Sequence, residues 1–65
     1  MNGNEALYFA CRLFGADATV WCDPIKGHGL VFFIGVWIER KRVTLFEGAT
    51  WAQVVRRARE ERVVA

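Results

Sequence analysis

The longest apolar stretch of the chain is Leu30-Val31-Phe32-Phe33-Ile34-Gly35-Val36-Trp37-Ile38. Its length of nine residues and its β-branched and aromatic content predict a strand rather than a helix. Side chains alternate across a strand, so both faces of this strand are apolar, which places it in the centre of a sheet. A membrane helix needs about 20 apolar residues, so the stretch does not predict a span.

Two shorter strands flank this segment. Ala18–Cys22 is rich in β-branched and aromatic residues, and Val43–Phe46 follows the charged turn of residues 39–42. Residues 23–29 contain one proline and two glycines and predict a loop. The three strands, joined in sequence order, predict an antiparallel meander.

A helix is predicted at each end of the chain. The first covers Asn4–Phe14 with Asn4 as its cap, and the second covers Trp51–Glu61, where Thr50 and Gln53 form a capping box. The order predicts an α+β fold, α-β-β-β-α, with a three-stranded antiparallel meander and both helices packed on one face.

Length and composition predict one small domain over residues 1–65. Hydrophobic residues make up 54% of the chain, which is too apolar for a disordered segment. Its N-terminal residues do not form the pattern of a secretory signal, so a cytoplasmic protein with reduced Cys11 and Cys22 is expected. A core this small gains only about 3–5 kcal/mol, so a second subunit is a natural source of further stability.

The sheet face away from the helices is predicted to be unusually apolar. Large exposed apolar patches on soluble proteins mark interaction sites. The face suits either a homodimer or docking to another macromolecule. The predicted partner-binding residues are Trp21, Val31, Phe33, Trp37 and Phe46, with Thr19, Arg42 and Thr44 at the rim.

Basic residues fall into two clusters, although the formal net charge is only +2. The candidate nucleic-acid-binding residues are Arg40, Lys41 and Arg42 in the second turn and Arg56, Arg57 and Arg59 on the second helix, whose basic cluster also contains Arg62. As a phosphate-binding surface they predict RNA or single-stranded nucleic acid as an alternative partner, with exposed aromatics stacking on bases. The other interpretation is a solvated face, because Glu39, Glu60 and Glu61 stand beside them.

Catalysis, a cofactor and a metal ion are not predicted. Cys22, Asp23 and His28 have no specific spacing for thiol catalysis, and Cys22 is expected to be a small core residue. Cys11, Cys22 and His28 supply at most three metal ligands without a Cys-x-x-Cys pair. The chain is therefore predicted to be a non-enzymatic interaction module.

The predicted element order resembles the double-stranded RNA-binding domain over nearly the whole chain. That resemblance implies phosphate contacts from the second helix and from a loop between strands. The family has a lysine cluster at the start of this helix, where Gly48-Ala49-Thr50-Trp51-Ala52-Gln53 has none. In its length and its Gly15-Ala16-Asp17-Ala18 turn and Gly48-Ala49-Thr50-Trp51 helix start, the chain also resembles small phage and prophage proteins, which implies an accessory protein or inhibitor that binds a protein.

Overall fold

The computed structural model describes the backbone of residues 1–64 and the side chains of residues 1–61. The chain forms a helix, three strands and a second helix, in the order α1, β1, β2, β3, α2. Their bounds are α1 Gly3–Phe14, β1 Ala18–Ile25, β2 Gly29–Ile38, β3 Lys41–Gly48 and α2 Trp51–Val64. The predicted α-β-β-β-α order is confirmed.

The strands form one antiparallel sheet in the order β1-β2-β3, with the apolar strand β2 in the centre as predicted. Both helices contact the same face of this sheet and each other, so the predicted α+β arrangement is confirmed. Within the part of the chain that the structure describes, neither helix combines the length and the apolar character that crossing a bilayer requires.

The core between the helices and the sheet is thin. Among the described residues its buried side chains are Ala6, Ala10, Ala18, Ile34, Val54, Val55 and Ala58, so four of these seven are alanines. Half-buried aromatic rings extend this core: Phe14 stacks on Phe46 at 5.9 Å between ring centroids, and Phe32 meets Trp51 edge-on at 4.7 Å. A core of this size contributes only a small free energy of unfolding.

The helix starts agree only partly with the sequence predictions. The cap of α1 is Asn2 rather than Asn4, because the Asn2 side chain accepts the Glu5 N–H at 2.9 Å and the Glu5 carboxylate accepts the Asn2 N–H at 3.1 Å. At α2, Thr50 Oγ1 accepts the Gln53 N–H at 3.0 Å, as predicted. The Gln53 side chain accepts the N–H of Ala49 rather than that of Thr50.

The strands are longer than predicted, because both turns are short. Residues 23–25 belong to β1, and the loop shrinks to residues 26–28, where Gly27 and the following Gly29 take positive φ angles of 86° and 69°. The second turn consists of Glu39 and Arg40 alone, with φ angles of 49° and 67°. Positive φ at both central residues is the geometry that matches the twist of a two-residue hairpin.

A β-bulge interrupts the pairing of β2 with β3. Ile34 pairs with Phe46 and the next residue, Gly35, pairs with Thr44, so Leu45 is left over. One extra residue reverses the alternation of side chains beyond it. The prediction that placed Phe46 on the outer side of the sheet is therefore wrong, and this ring packs against the helix-side core.

The register also fixes which backbone groups of β1 point away from β2. The Trp37 N–H donates to the carbonyl oxygen of Asp17, the residue directly opposite, at 3.0 Å. In an antiparallel pair every second residue directs its backbone N–H and C=O toward the partner strand, so the odd-numbered residues of β1 direct these groups toward β2. Pro24 therefore lies with its nitrogen on the open edge of the sheet.

Candidate interaction face of the sheet

The outer face is the side of the sheet that carries no helix. The pairing register places its side chains in adjacent rows. Its residues are Thr19, Trp21, Asp23 and Ile25 of β1, Gly29, Val31, Phe33, Gly35 and Trp37 of β2, and Arg42, Thr44 and Glu47 of β3. Four of the five predicted partner-binding residues, all except Phe46, thus lie together on this face.

Trp21 is the central side chain of the outer face. Its ring stacks on Phe33 with centroids 5.3 Å apart and ring planes 14° from parallel. The guanidinium carbon of Arg42 lies 4.0 Å from the centroid of the same indole. Because an aromatic face attracts a cation, Trp21 links a residue of β2 to one of β3 across the sheet.

Gly35 makes room for the indole of Trp21. A Cβ atom at this position would come within 2.8 and 2.9 Å of two carbons of the indole and would also collide with the Val43 carbonyl oxygen at the bulge. The glycine is itself buried beneath the ring. An aromatic residue that covers a neighbouring glycine in this way stabilises a sheet at a point with no side chain of its own.

The apolar side chains of the outer face differ in how much of their surface is exposed. Val31, Phe33 and Trp21 are half-buried, whereas Trp37 keeps 49% of its surface exposed. Trp37 lies opposite Arg42, two residues beyond Gly35 along β2. The outer face is thus a continuous apolar surface whose most exposed ring lies near its β2–β3 turn.

Charged residues are ordered along the outer face. Arg42 lies at the end next to the β2–β3 turn, while Glu47 pairs with Phe33 and Asp23 pairs with Val31 toward the other end. Neither carboxylate was predicted on this face, because the predicted strands stopped at Cys22 and Phe46. Extending the alternation of β1 to its true end places Asp23 on the outer face, whereas Glu47 reaches this face only because of the bulge at Leu45.

The first basic cluster is divided by the strand pairing. Arg42 lies on the outer face, Lys41 pairs with Ile38 and points to the helix side, and Arg40 occupies the turn. All three are exposed. Only Arg42 therefore joins a cation to the aromatic rings of the outer face.

The second basic cluster lies on α2, across the sheet from the outer face, and its members point in different directions. Arg57 donates to the Glu47 carbonyl oxygen at 2.9 Å, whereas the Arg59 guanidinium carbon lies 5.9 Å from the ring centroid of Phe9 on α1. Arg56 lines a shallow depression beside Thr50. The side chain of Arg62 lies outside the described residues, and the structure does not join the two clusters into one surface.

The residues considered for thiol or metal chemistry do not converge. Cys22 and Asp23 are consecutive in β1 and point to opposite faces. Cys22 is exposed, so the expectation that it is a core residue is wrong. Among the described residues, no group of three His, Cys, Asp or Glu side chains is placed to hold a metal ion.

Comparisons of the chain with protein-family models, curated proteins and solved structures found no match.

Proposed function

We propose that the protein is a non-enzymatic interaction module that self-associates through the outer face of its sheet. The observation that carries this proposal is the continuous apolar surface formed by Val31, Phe33, Trp21 and Trp37 on the side without helices. Tryptophan and other aromatic residues supply most of the binding energy at protein interfaces.

The thin core supports the same proposal. Four of the seven buried side chains within residues 1–61 are alanines, so this part of the core gains little from burial within one chain. A second sheet packed on the outer face would remove further apolar surface from water, as small domains often require. A small accessory or inhibitor protein of the phage type could use the same face against a foreign protein.

Two variants on adjacent residues test the face. Trp37 and Ile38 are exposed by 49% and 53% but point to opposite faces of β2. We expect Trp37→Asp to shift the solution mass from dimer to monomer in light scattering over a series of concentrations, while Ile38→Asp leaves the mass unchanged. A wild-type protein that is monomeric throughout, or equal effects of both variants, would remove the proposal.

A second candidate function is the binding of single-stranded nucleic acid, favoured by the position of Arg42 beside Trp37. Bases stack on exposed aromatic rings while cations hold the phosphates, and such binding weakens steeply with salt. A fluorescent oligothymidine at low ionic strength is the appropriate probe.

Two matched triple variants locate such binding. The first variant replaces Arg40, Lys41 and Arg42 of the turn by glutamine. The second replaces Arg56, Arg57 and Arg59 of α2 by glutamine. Loss of affinity in the first variant alone indicates the outer face, and loss in the second alone indicates a helix-mediated mode like that of the double-stranded RNA-binding domain. No anisotropy change with the wild-type protein excludes this function.

A further inference from the structure

The outer face carries opposite charges and aromatic rings on the two sides of Gly35. Along β3 it presents Arg42, then Thr44, then Glu47, and these residues pair with Trp37, Gly35 and Phe33 of β2. A cation and an exposed ring thus stand on one side of the Gly35 row, and an anion and a second ring stand on the other. Each neighbouring row is two residues of β2 away from Gly35, which is roughly 6.6 Å.

We propose that a second copy of the chain packs on the outer face about a two-fold axis that crosses the strands at Gly35. This inference rests on the proposed self-association and specifies its geometry. The axis reverses the strand direction while keeping β3 over β3. It brings Arg42 onto Glu47 of the partner subunit and Trp37 onto Phe33 of the partner subunit.

The symmetry of the rows selects this axis. In an isologous interface a contact of residue i with residue j is repeated as a contact of j with i. Since Trp37 and Phe33 are equally distant from Gly35 along β2, one axis satisfies the aromatic contact and the ionic contact together. Both contacts then occur twice in each dimer.

The central rows suit close packing of the two copies. Gly35 carries no side chain, and carbons of the Trp21 indole occupy the space where its β-carbon would lie. Two packed sheets are separated by about 10 Å, a space that the side chains of both faces fill together. An exposed Trp37 on each side fits such a gap above the half-buried Phe33 of the partner subunit.

Arg42 is already held in a position to bind a carboxylate. Its guanidinium carbon lies 4.0 Å from the Trp21 ring centroid, and a guanidinium has five N–H donors with which to bind a carboxylate. A side chain that is fixed before binding loses less entropy when the ion pair forms. The ionic contact would therefore set the orientation of the two copies.

The size of the face predicts a weak dimer. Three strands about 4.8 Å apart and roughly eight residues long at about 3.3 Å per residue give a face of about 14 by 26 Å. That is roughly 350 Å² per copy, against about 800 Å² in a stable interface of standard size. We therefore expect dimerisation that depends on concentration and weakens with salt.

Charge reversal across the interface tests the arrangement. Like charges meet in a homodimer of Arg42→Glu and in a homodimer of Glu47→Arg, so each variant alone should dimerise at least about tenfold more weakly than the wild type. In an equimolar mixture every ionic contact is again between opposite charges. We expect the mixture to recover the wild-type dimer in sedimentation equilibrium, and the double variant in one chain to dimerise with itself.

A measurement on the wild-type protein tests the same arrangement without depending on whether a variant folds. Trp37 and Phe33 are four residues apart on one face of β2, a separation of about 13 Å within one chain. In a sample that mixes isotope-labelled and unlabelled chains, we expect an intermolecular nuclear Overhauser effect between these two rings.

The outcomes separate this geometry from the proposed function. If the mixture stays monomeric and the ring contact is absent while a Trp37→Asp-sensitive dimer persists, the two-fold arrangement at Gly35 is wrong and self-association through the face stands. A wild-type chain that is monomeric at all concentrations overturns both.

Discussion

Replacement of Gly35 by alanine should destabilise the domain strongly, because its β-carbon has no room. That atom would meet the Val43 carbonyl oxygen, which belongs to the backbone, and two carbons of the Trp21 ring at 2.8 and 2.9 Å. The ring can rotate away, but the carbonyl moves only if the bulge between β2 and β3 moves with it.

The expected magnitude follows from the contacts that would be lost. Overpacking costs about 1–3 kcal/mol, the stacked ring pair is worth about 0.5–1.5 kcal/mol and the exposed cation–π contact about 0.5–1 kcal/mol. Alanine recovers about 0.5–1 kcal/mol of strand stability relative to glycine. The net loss is about 3 kcal/mol, which lowers the melting temperature by roughly 12–24 °C in a domain of this size.

Thermal and urea unfolding followed by far-ultraviolet circular dichroism measure this loss. Gly3→Ala is the matched control, since its β-carbon would lie 3.6 Å from the Trp51 ring, an ordinary contact, and we expect no loss of stability. Gly35→Ala in a Trp21→Ala background should remain destabilising, because the collision with the carbonyl persists. If Gly35→Ala melts like the wild type, the account of this position is wrong.

Three further predictions concern the helix cap, the core and the thiols. Asn2→Ala should cost about 1 kcal/mol of unfolding free energy through loss of the capping box, whereas exposed Asn4→Ala should change it by no more than about 0.5 kcal/mol; equal melting temperatures would contradict the assignment of the cap. Phe46→Ala should lower the free energy of unfolding in urea by about 2 kcal/mol or more, because this ring packs on the helix-side core, and a smaller loss would place it outside that core. An aromatic disulfide reagent should modify exposed Cys22 faster than half-buried Cys11, and equal rates would contradict the burial difference.

The sequence contained enough information for the architecture. The nine consecutive apolar residues of β2 predicted a strand at the centre of a sheet with helices on one side. The turn and cap signals around this strand predicted the order of the elements. Element ends were less predictable. Glycines and Pro24 in residues 23–29 indicated a long loop, yet proline is tolerated on an edge strand, and only residues 26–28 form the turn.

The candidate site was predicted in its centre but not at its ends. Trp21, Phe33 and Trp37 followed from simple alternation, which holds throughout β1 and β2. Alternation failed at Leu45, because a bulge reflects the fit between two strands and leaves no clear mark in either one alone. For this reason Phe46 was placed on the wrong face.

The position of Pro24 affects how the protein can aggregate. The even-numbered residues of β1 present their backbone to the open edge, where an added strand would need amide donors. Pro24 has no N–H, and the Ala18 N–H already donates to the Gly15 carbonyl oxygen at 3.1 Å. The edge of β1 therefore offers the amides of Val20 and Cys22, too few to template another strand.

Growth of a fibre by strand addition needs two adhesive edges on every copy, because a copy with one such edge can only cap a partner. With β1 disabled, edge pairing of this sheet would end at two chains joined through β3. The exposed aromatic rings of the outer face therefore belong to a sheet whose edges do not support open-ended polymerisation.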